Sequence, residues 1–262
     1  LEMVCDESKK FLDLSTCPEN INICECDASL PDPDYVFYTD GSGIDGCFGA
    51  SSILYKLDDS VLTKIDSREF PLGNFSSVFQ AELFAIMSTI RCIYDSINFF
   101  LNKRVRICTD SLSSIQSFGK DLVSSYLLRY SKSILLRIPP QITIDLTWVK
   151  AHVGIEGNEE ADRLAKQAAC TLPMGPQPIL AIPFSCVKGA IDYFVNERWN
   201  YFWHNLPQCR QTKLWFPIVD WTKSKIILNK SKIDLGLICR FITGHAFFNR
   251  HQSLIDKTEL SL

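Results

Sequence analysis

Four carboxylates and one histidine fall where they could act together: Asp40, Glu82, Asp110 and Asp162, with His152 ten positions before the last. Taken singly, each has an ordinary explanation. Asp110 before Ser111 reads as a turn former or helix cap, and Glu82 as a solvated helix residue. As a set they are different. Asp40 and Asp110 each follow a short β-branched or aromatic run, and Glu82 and Asp162 lie in helical patterns. In an open α/β sheet, strand ends collect at one edge, so the two aspartates can lie side by side while the other two reach in from flanking helices. Like charges that close raise one another's pKa, and the cluster needs compensation. Oxygen donors without Cys or His favour Mg²⁺ or Mn²⁺ over Zn²⁺. Two such ions ~4 Å apart can activate a water and stabilise a leaving oxygen in phosphodiester cleavage.

The elements that must position these groups follow from hydrophobic periodicity. Residues 35–39, YVFYT, form a strand that Asp40 ends and Gly41-Ser42-Gly43 breaks. Residues 47–56 and 61–70 are two further strands, joined by a turn at 57–60. From 77 to 99, Phe79, Leu83, Ile86, Met87, Ile90 and Ile93 recur at helical spacing, with Glu82 on the face of Phe79, Leu83 and Ile86. A strand over 105–109 delivers Asp110; helices follow over 111–118 and 124–137, the second stopped by Pro139-Pro140. A strand over 142–149, a glycine-bearing loop and a helix over 158–169 complete the order β-β-β-α-β-α-α-β-α. That order implies an α/β fold: a five-stranded mixed sheet, antiparallel at one edge, with helices on its faces. Residues 1–34 hold two Lys/Arg against nine Asp/Glu and read as a linker or the tail of an upstream domain, with a short helix near 9–14 as the alternative. Pro173, Pro176, Pro178 and Pro183 mark a second linker, so 35–170 is expected to be one domain and 171–262 a separate, mainly helical extension.

The stretches YTDGSG at 38–43, QAEL at 80–83, TDS at 109–111 and WVKAHVGIEGNEEADRLAK at 148–166 resemble the type I ribonuclease H family in order and spacing. The resemblance covers residues 35–170; YTDGS and TDS are weak signals alone, the last block is strong, and four in order are stronger still. It implies an endonuclease that cuts the RNA strand of RNA–DNA hybrids with two Mg²⁺ ions, or Mn²⁺, held by Asp40, Glu82, Asp110 and Asp162. It gives His152 a helper role in proton transfer or product release, with Gly154 and Gly157 letting the loop swing the imidazole over the site.

A hybrid offers 2′-hydroxyls across a wide, shallow minor groove. The resemblance implies substrate contacts around Gly41, Ser42, Ser76, Ser77, Gln80 and Ser111, although Ser76-Ser77 also suits the cap of the helix that follows. Some cellular members carry a basic helical protrusion that grips the hybrid. Between Asp110 and Ile142 this chain has Lys120, Arg129, Lys132 and Arg137, without a Lys/Arg-rich, Trp-bearing insert. Tight binding by this domain alone is therefore not expected, because phosphate contacts dominate affinity.

Positive charge gathers instead at the C-terminal end. Residues 171–262 hold eleven Lys/Arg against six Asp/Glu, whereas 35–170 hold fourteen against fifteen and the whole chain carries −3. Residues 185–206 read as an amphipathic aromatic helix, and Trp199, Trp203, Trp215 and Trp221 are followed by Lys223, Lys225, Lys230 and Lys232. Interleaved aromatic and basic side chains can grip single-stranded nucleic acid by stacking and charge. The alternative is an aromatic core with a solvated lysine face. The segment 241–251, FITGHAFFNRH, resembles a stretch that follows the ribonuclease H domain in non-LTR retrotransposon polyproteins, commonly ahead of a Cys/His zinc knuckle. That implies an upstream reverse transcriptase domain as partner, with any knuckle beyond Leu262. Leu1 in place of an initiating Met reads likewise as a processed or partial chain.

Composition narrows the remaining classes. Hydrophobic residues at 46 % and charged residues at 22 % are those of an ordinary globular protein. There is no apolar run long enough for a membrane span, and the polar, acidic opening is no signal peptide. Eleven scattered cysteines, with Cys24 and Cys26 the one close pair, fit a reducing compartment, cytoplasm or nucleus, better than a disulfide framework or zinc site. Two rival readings stand beside the nuclease: a catalytically inert nucleic-acid-binding or scaffold domain, and another nuclease or integrase of the same superfamily. The intact carboxylate set opposes the first and the histidine-loop block opposes the second.

Overall fold

The computed structural model describes residues 18–24, 30–120, 125–176 and 179–245. The helix expected near residues 9–14 lies outside them. The chain divides into two compact units, Leu1–Val187 and Lys188–Leu262. The first unit thus runs past the proline-marked stretch that begins at Pro173.

The first unit is built on a sheet of β1 (Ile21–Cys24), β2 (Tyr35–Ile44), β3 (Cys47–Asp58), β4 (Val61–Gly73), β5 (Arg104–Thr109) and β6 (Thr143–Trp148), in the order β1-β6-β5-β2-β3-β4. β1, β6, β5 and β2 run parallel, and β2, β3 and β4 form an antiparallel meander. The sheet therefore has six strands rather than five. The extra strand, β1, lies in the acidic segment read as linker. Its four residues are too few to show a period, but Ile21 packs into the core and Asn22 donates to Asp145 at 2.7 Å. Asp145 is fully buried and holds half-buried Arg104 at 2.6 Å, so it joins β6 to β5 by an ion pair and to β1 by the Asn22 hydrogen bond.

Alternation along β2 assigns the two faces. Tyr35 and Phe37 face a core with Val105, Ile107, Ile144 and Leu146, covered by α1 (Val78–Asp95), α2 (Ile97–Phe100), α3 (Leu112–Phe118) and α4 (Tyr126–Leu135). Val36 and Tyr38 face the other side with Ile53 and Tyr55, under α5 (Glu156–Ala169). Each large side chain buried this way stabilises the fold by ~1.5–3 kcal/mol. The single helix expected over 77–99 is broken at Ser96, which turns Phe100 inward against Tyr35 with ring centroids 5.4 Å apart. Phe79, expected on the inner face, is exposed.

The second unit is described over residues 188–245. It holds most of α6 (Phe184–Asn205), then α7 (Arg210–Trp215), α8 (Trp221–Leu228) and α9 (Lys232–Thr243). No residue of these helices is buried, so the amphipathic face expected over 185–206 does not close a core. The tryptophans link helices instead: Trp203 Nε1 donates to the Phe216 carbonyl at 2.7 Å, Trp221 Nε1 to Asn196 Oδ1 at 2.6 Å, and Trp215 meets Phe241 at 5.1 Å. Lys223, Lys225, Lys230 and Lys232 are exposed. Among the described residues, no helix is long and apolar enough to cross a membrane.

Candidate active site

The parallel pairing of β2 with β5 ends at Thr39 and Thr109, so Asp40 and Asp110 each stand one residue beyond it. Asp40 does not end its strand. β2 continues against β3 to Ile44 and turns at Asp45-Gly46, both with positive φ, the geometry of a two-residue hairpin. The antiparallel partner keeps Gly41-Ser42-Gly43 extended where the parallel partner has already left.

Two glycines let the flanking helices deliver their carboxylates. A Cβ on Gly41 would fall 2.3 Å from the backbone nitrogen of Glu82, so α1 can lie against β2 at this point only over a glycine. A Cβ on Gly49 would fall 2.2 Å from the backbone nitrogen of Ala169, and α5 meets it with Ala165 and Ala168. Carboxylate oxygens of Asp40, Glu82 and Asp110 come within 4.8 Å of one another. Asp40 and Glu82 are buried, and Asp110 is half-buried.

Asp162 does not join this triad directly. Its carboxylate groups with His152 and Glu159, whose ligand atoms lie within 4.8 Å of one another, and Lys166 donates to its Oδ2 at 2.7 Å. Glu159 and Asn158 were not singled out from the sequence. Asn158 is buried and donates from Nδ2 to Asp110 Oδ2 at 3.2 Å, while Trp148 Nε1 donates to the Asp110 carbonyl at 2.9 Å. The signal was available in GNEEAD, because i, i+3 and i, i+4 spacing puts Asn158 and Glu159 on the Asp162 side of α5.

Removal from water dominates the electrostatics. Burial, then the charges of Asp40 and Asp110, push the Glu82 carboxyl up to about 9. Burial, then Asp110 and Asp162, push Asp40 up to about 7, and the Gly41 backbone N–H and Lys166 pull the other way. Glu82 Oε2 is buried with no hydrogen-bond partner among the described residues. A buried carboxylate oxygen left unpaired is costly, and a divalent cation would supply the missing partner. The donor set is all oxygen, which fits Mg²⁺ or Mn²⁺.

Residues 32–170 match the RNase H family. The chain belongs to the RNase H family. Its mixed six-stranded sheet flanked by helices is an RNase H-like fold, and the family generally uses a divalent metal. Solved structures it is similar to include the prototype foamy virus RNase H domain, at 22 % identity over 55 % of this chain and 98 % of that one, with a TM-score of 0.44. The N-terminal RNase H domain of a Mycobacterium tuberculosis protein is 19 % identical over 53 % of this chain and 95 % of that one, TM-score 0.42. A foamy viral protease–reverse transcriptase in complex with an RNA/DNA hybrid is 22 % identical over 55 % of this chain and 21 % of that one, TM-score 0.41. No curated protein matches the chain.

Within this RNase H chain, the remaining expected residues separate into exposed and engaged. His152 is exposed, in the left-handed region at φ 53°, with Nδ1 3.9 Å from Glu159 Oε2. Gly154 gives the loop a second positive φ, 83°. Gly157 is no hinge: it lies inside α5, where a Cβ would fall 2.3 Å from the Tyr38 ring. Ser42 is half-exposed beside the triad, and Ser111 stands at the N-cap of α3 without a side-chain cap bond, its hydroxyl 2.8 Å from Ser114 Oγ. Ser76 is buried, Ser77 accepts from the Gln80 backbone N–H at 3.3 Å, and Gln80 donates from Nε2 to the Ala181 carbonyl at 2.8 Å. These last three side chains are engaged inside the unit.

Proposed function

We propose that this RNase H chain is an endonuclease that hydrolyses the RNA strand of RNA–DNA hybrids with two divalent cations, Mg²⁺ or Mn²⁺, in the service of a retroelement reverse transcriptase. The convergence of Asp40, Glu82 and Asp110 within 4.8 Å carries this reading. It is supported by the buried, unpartnered oxygen of Glu82. Asp40, Glu82, Asp110 and Asp162 would hold the cations. When bound, such ions lower the pKa of a coordinated water and offset charge on the phosphodiester.

The chain's own groups do the rest. Asn158 fixes one oxygen of Asp110, and Trp148 fixes the backbone that carries it, so the carboxylate is held in place before any ion arrives. His152, exposed beside Asp162 and Glu159, would help carry a proton between water and the leaving oxygen. Gly41, Ser42 and Ser111, next in sequence to Asp40 and Asp110, would meet a hybrid's minor groove. Ser76, Ser77 and Gln80 would act there through backbone or by shaping the start of α1.

The retroelement setting rests on the resemblance of 241–251 to the stretch that follows RNase H in non-LTR retrotransposon polyproteins, of which 241–245 lie among the described residues. In that setting the chain works inside the cell beside an upstream reverse transcriptase domain. The exposed lysines and half-exposed tryptophans of the second unit would hold single-stranded or hybrid nucleic acid. An inert scaffold would have no use for a charge-strained, buried carboxylate triad. The test is cleavage of a labelled RNA–DNA hybrid with Mg²⁺ and with EDTA, beside RNA and DNA duplexes. Fragments from the RNA strand of the hybrid alone, in Mg²⁺ alone, are expected; cutting of the DNA duplex, or in EDTA, would contradict the proposal.

A further inference from the structure

A lysine of the fold already sits on one of the four carboxylates. Lys166 Nζ donates to Asp162 Oδ2 at 2.7 Å, one helical turn along α5, and its side chain is half-exposed. Among the described residues no ammonium or guanidinium group is bonded to the other three carboxylates. Glu82 Oε2 is unpartnered among the described residues, and the polar side chain on Asp110 is the neutral amide of Asn158. The acidic set is therefore split into an inner triad with no ammonium group bonded to it among the described residues, which feels Lys166 only at longer range through Asp40, and an outer carboxylate bonded to that lysine.

A cation entering the inner triad displaces nothing and relieves repulsion among three carboxylates. A cation entering at Asp162 must either expel an ammonium group or sit beside it, and like charges at that range repel. Resting on the two-cation reading above, we propose that Lys166 is a built-in counter-ion of Asp162 that makes the two cation positions unequal. The inner triad loads first, and the outer position loads only as Lys166 is displaced. Lys166 is then a positioning residue. It holds the Asp162 carboxylate in place in the metal-free protein and sets how much divalent ion the complete site requires. The ion pair is half-exposed, so its hold is modest, and the expected effect on the outer ion is about threefold to tenfold in affinity.

Calorimetric titration of the full chain with Mn²⁺, with free Mn²⁺ counted by electron paramagnetic resonance, reads this without any turnover. The wild type should take one ion tightly and a second more weakly. Lys166→Met should tighten the second by about threefold to tenfold and the first by clearly less, while Lys166→Arg should behave as wild type. Asp162→Asn should remove the second event and make Lys166→Met silent in the double variant. A wild type that takes one ion where Lys166→Met takes two would be the same result in stronger form. Equal stoichiometry and affinities in the two chains would overturn the counter-ion role and leave the two-cation reading standing. A wild type and a Lys166→Met chain that both bind no Mn²⁺ would overturn both. Lys166→Gln is a second variant of the same sign, and thermal melting of each confirms that the fold is intact.

Discussion

Asp40 and Glu82 are acids that folding takes out of water with no cationic side chain bonded to them among the described residues. Their carboxyl groups titrate near 7 and 9, above the ordinary carboxylate range, because burial and neighbouring carboxylates penalise the charged form. A raised folded-state value means that the proton stabilises the fold. That stability is complete below about pH 4 and is lost as pH rises through about 7 for Asp40 and about 9 for Glu82. In EDTA the melting temperature should therefore fall by several degrees between pH 5 and 9, and Mg²⁺ at pH 8 should restore it. Glu82→Gln should flatten the profile. A metal-free melting temperature that holds or rises over this range would refute the strain assigned to the triad. His152 is exposed and outside the inner triad, so His152→Ala should slow turnover by ~10–100-fold while metal dependence and strand choice persist. A loss as complete as that of a triad variant, measured in the same cleavage assay, would make His152 essential.

At the scale of elements, the legible parts were those with a period or a motif. Strands 105–109 and 142–149, the helix carrying Glu82 and the helix carrying Asp162 were readable because each repeats its apolar residues over at least one full register. β1 was not, since Ile21–Cys24 has only two inward positions and acidic neighbours hid them. Gly41 was misread for a physical reason. Glycine usually breaks strands, but here it stays in one because a helix backbone passes where its Cβ would be. Asp40, Glu82 and Asp110 could be placed from strand ends and helix faces; helical spacing also sets Asn158, Glu159 and Lys166 near Asp162, whereas the bond from Asn158 to Asp110 depends on how α5 is rolled against β2 and β3. Gly41→Ala and Gly49→Ala test the packing directly. Each should cost about 1–3 kcal/mol by overpacking, read from urea unfolding, and Gly41→Ala should also slow cleavage because it moves Glu82. Full stability and activity in Gly41→Ala would show that α1 does not need this close approach.

At the scale of the whole molecule, charge is divided between the two units. Residues 35–170 are nearly neutral, while 188–262 carry the excess of positive charge and present Lys223, Lys225, Lys230 and Lys232 to solvent. If the second unit supplies the phosphate contacts, changing these four lysines to Gln should lower the slope of log affinity for hybrid against log salt by up to about 3–4, with the rate at saturating hybrid little changed. An unchanged slope would assign the second unit another role. The chemistry is assigned to the first unit, and its decisive test is the rate of RNA-strand cleavage in a hybrid at saturating Mg²⁺, for wild type against Asp110→Asn. Asp110→Asn should keep the fold, with metal-free stability equal or higher, and cut at least about 10³-fold more slowly. Cleavage by Asp110→Asn at the wild-type rate would contradict the assignment and place the chemistry elsewhere on the chain.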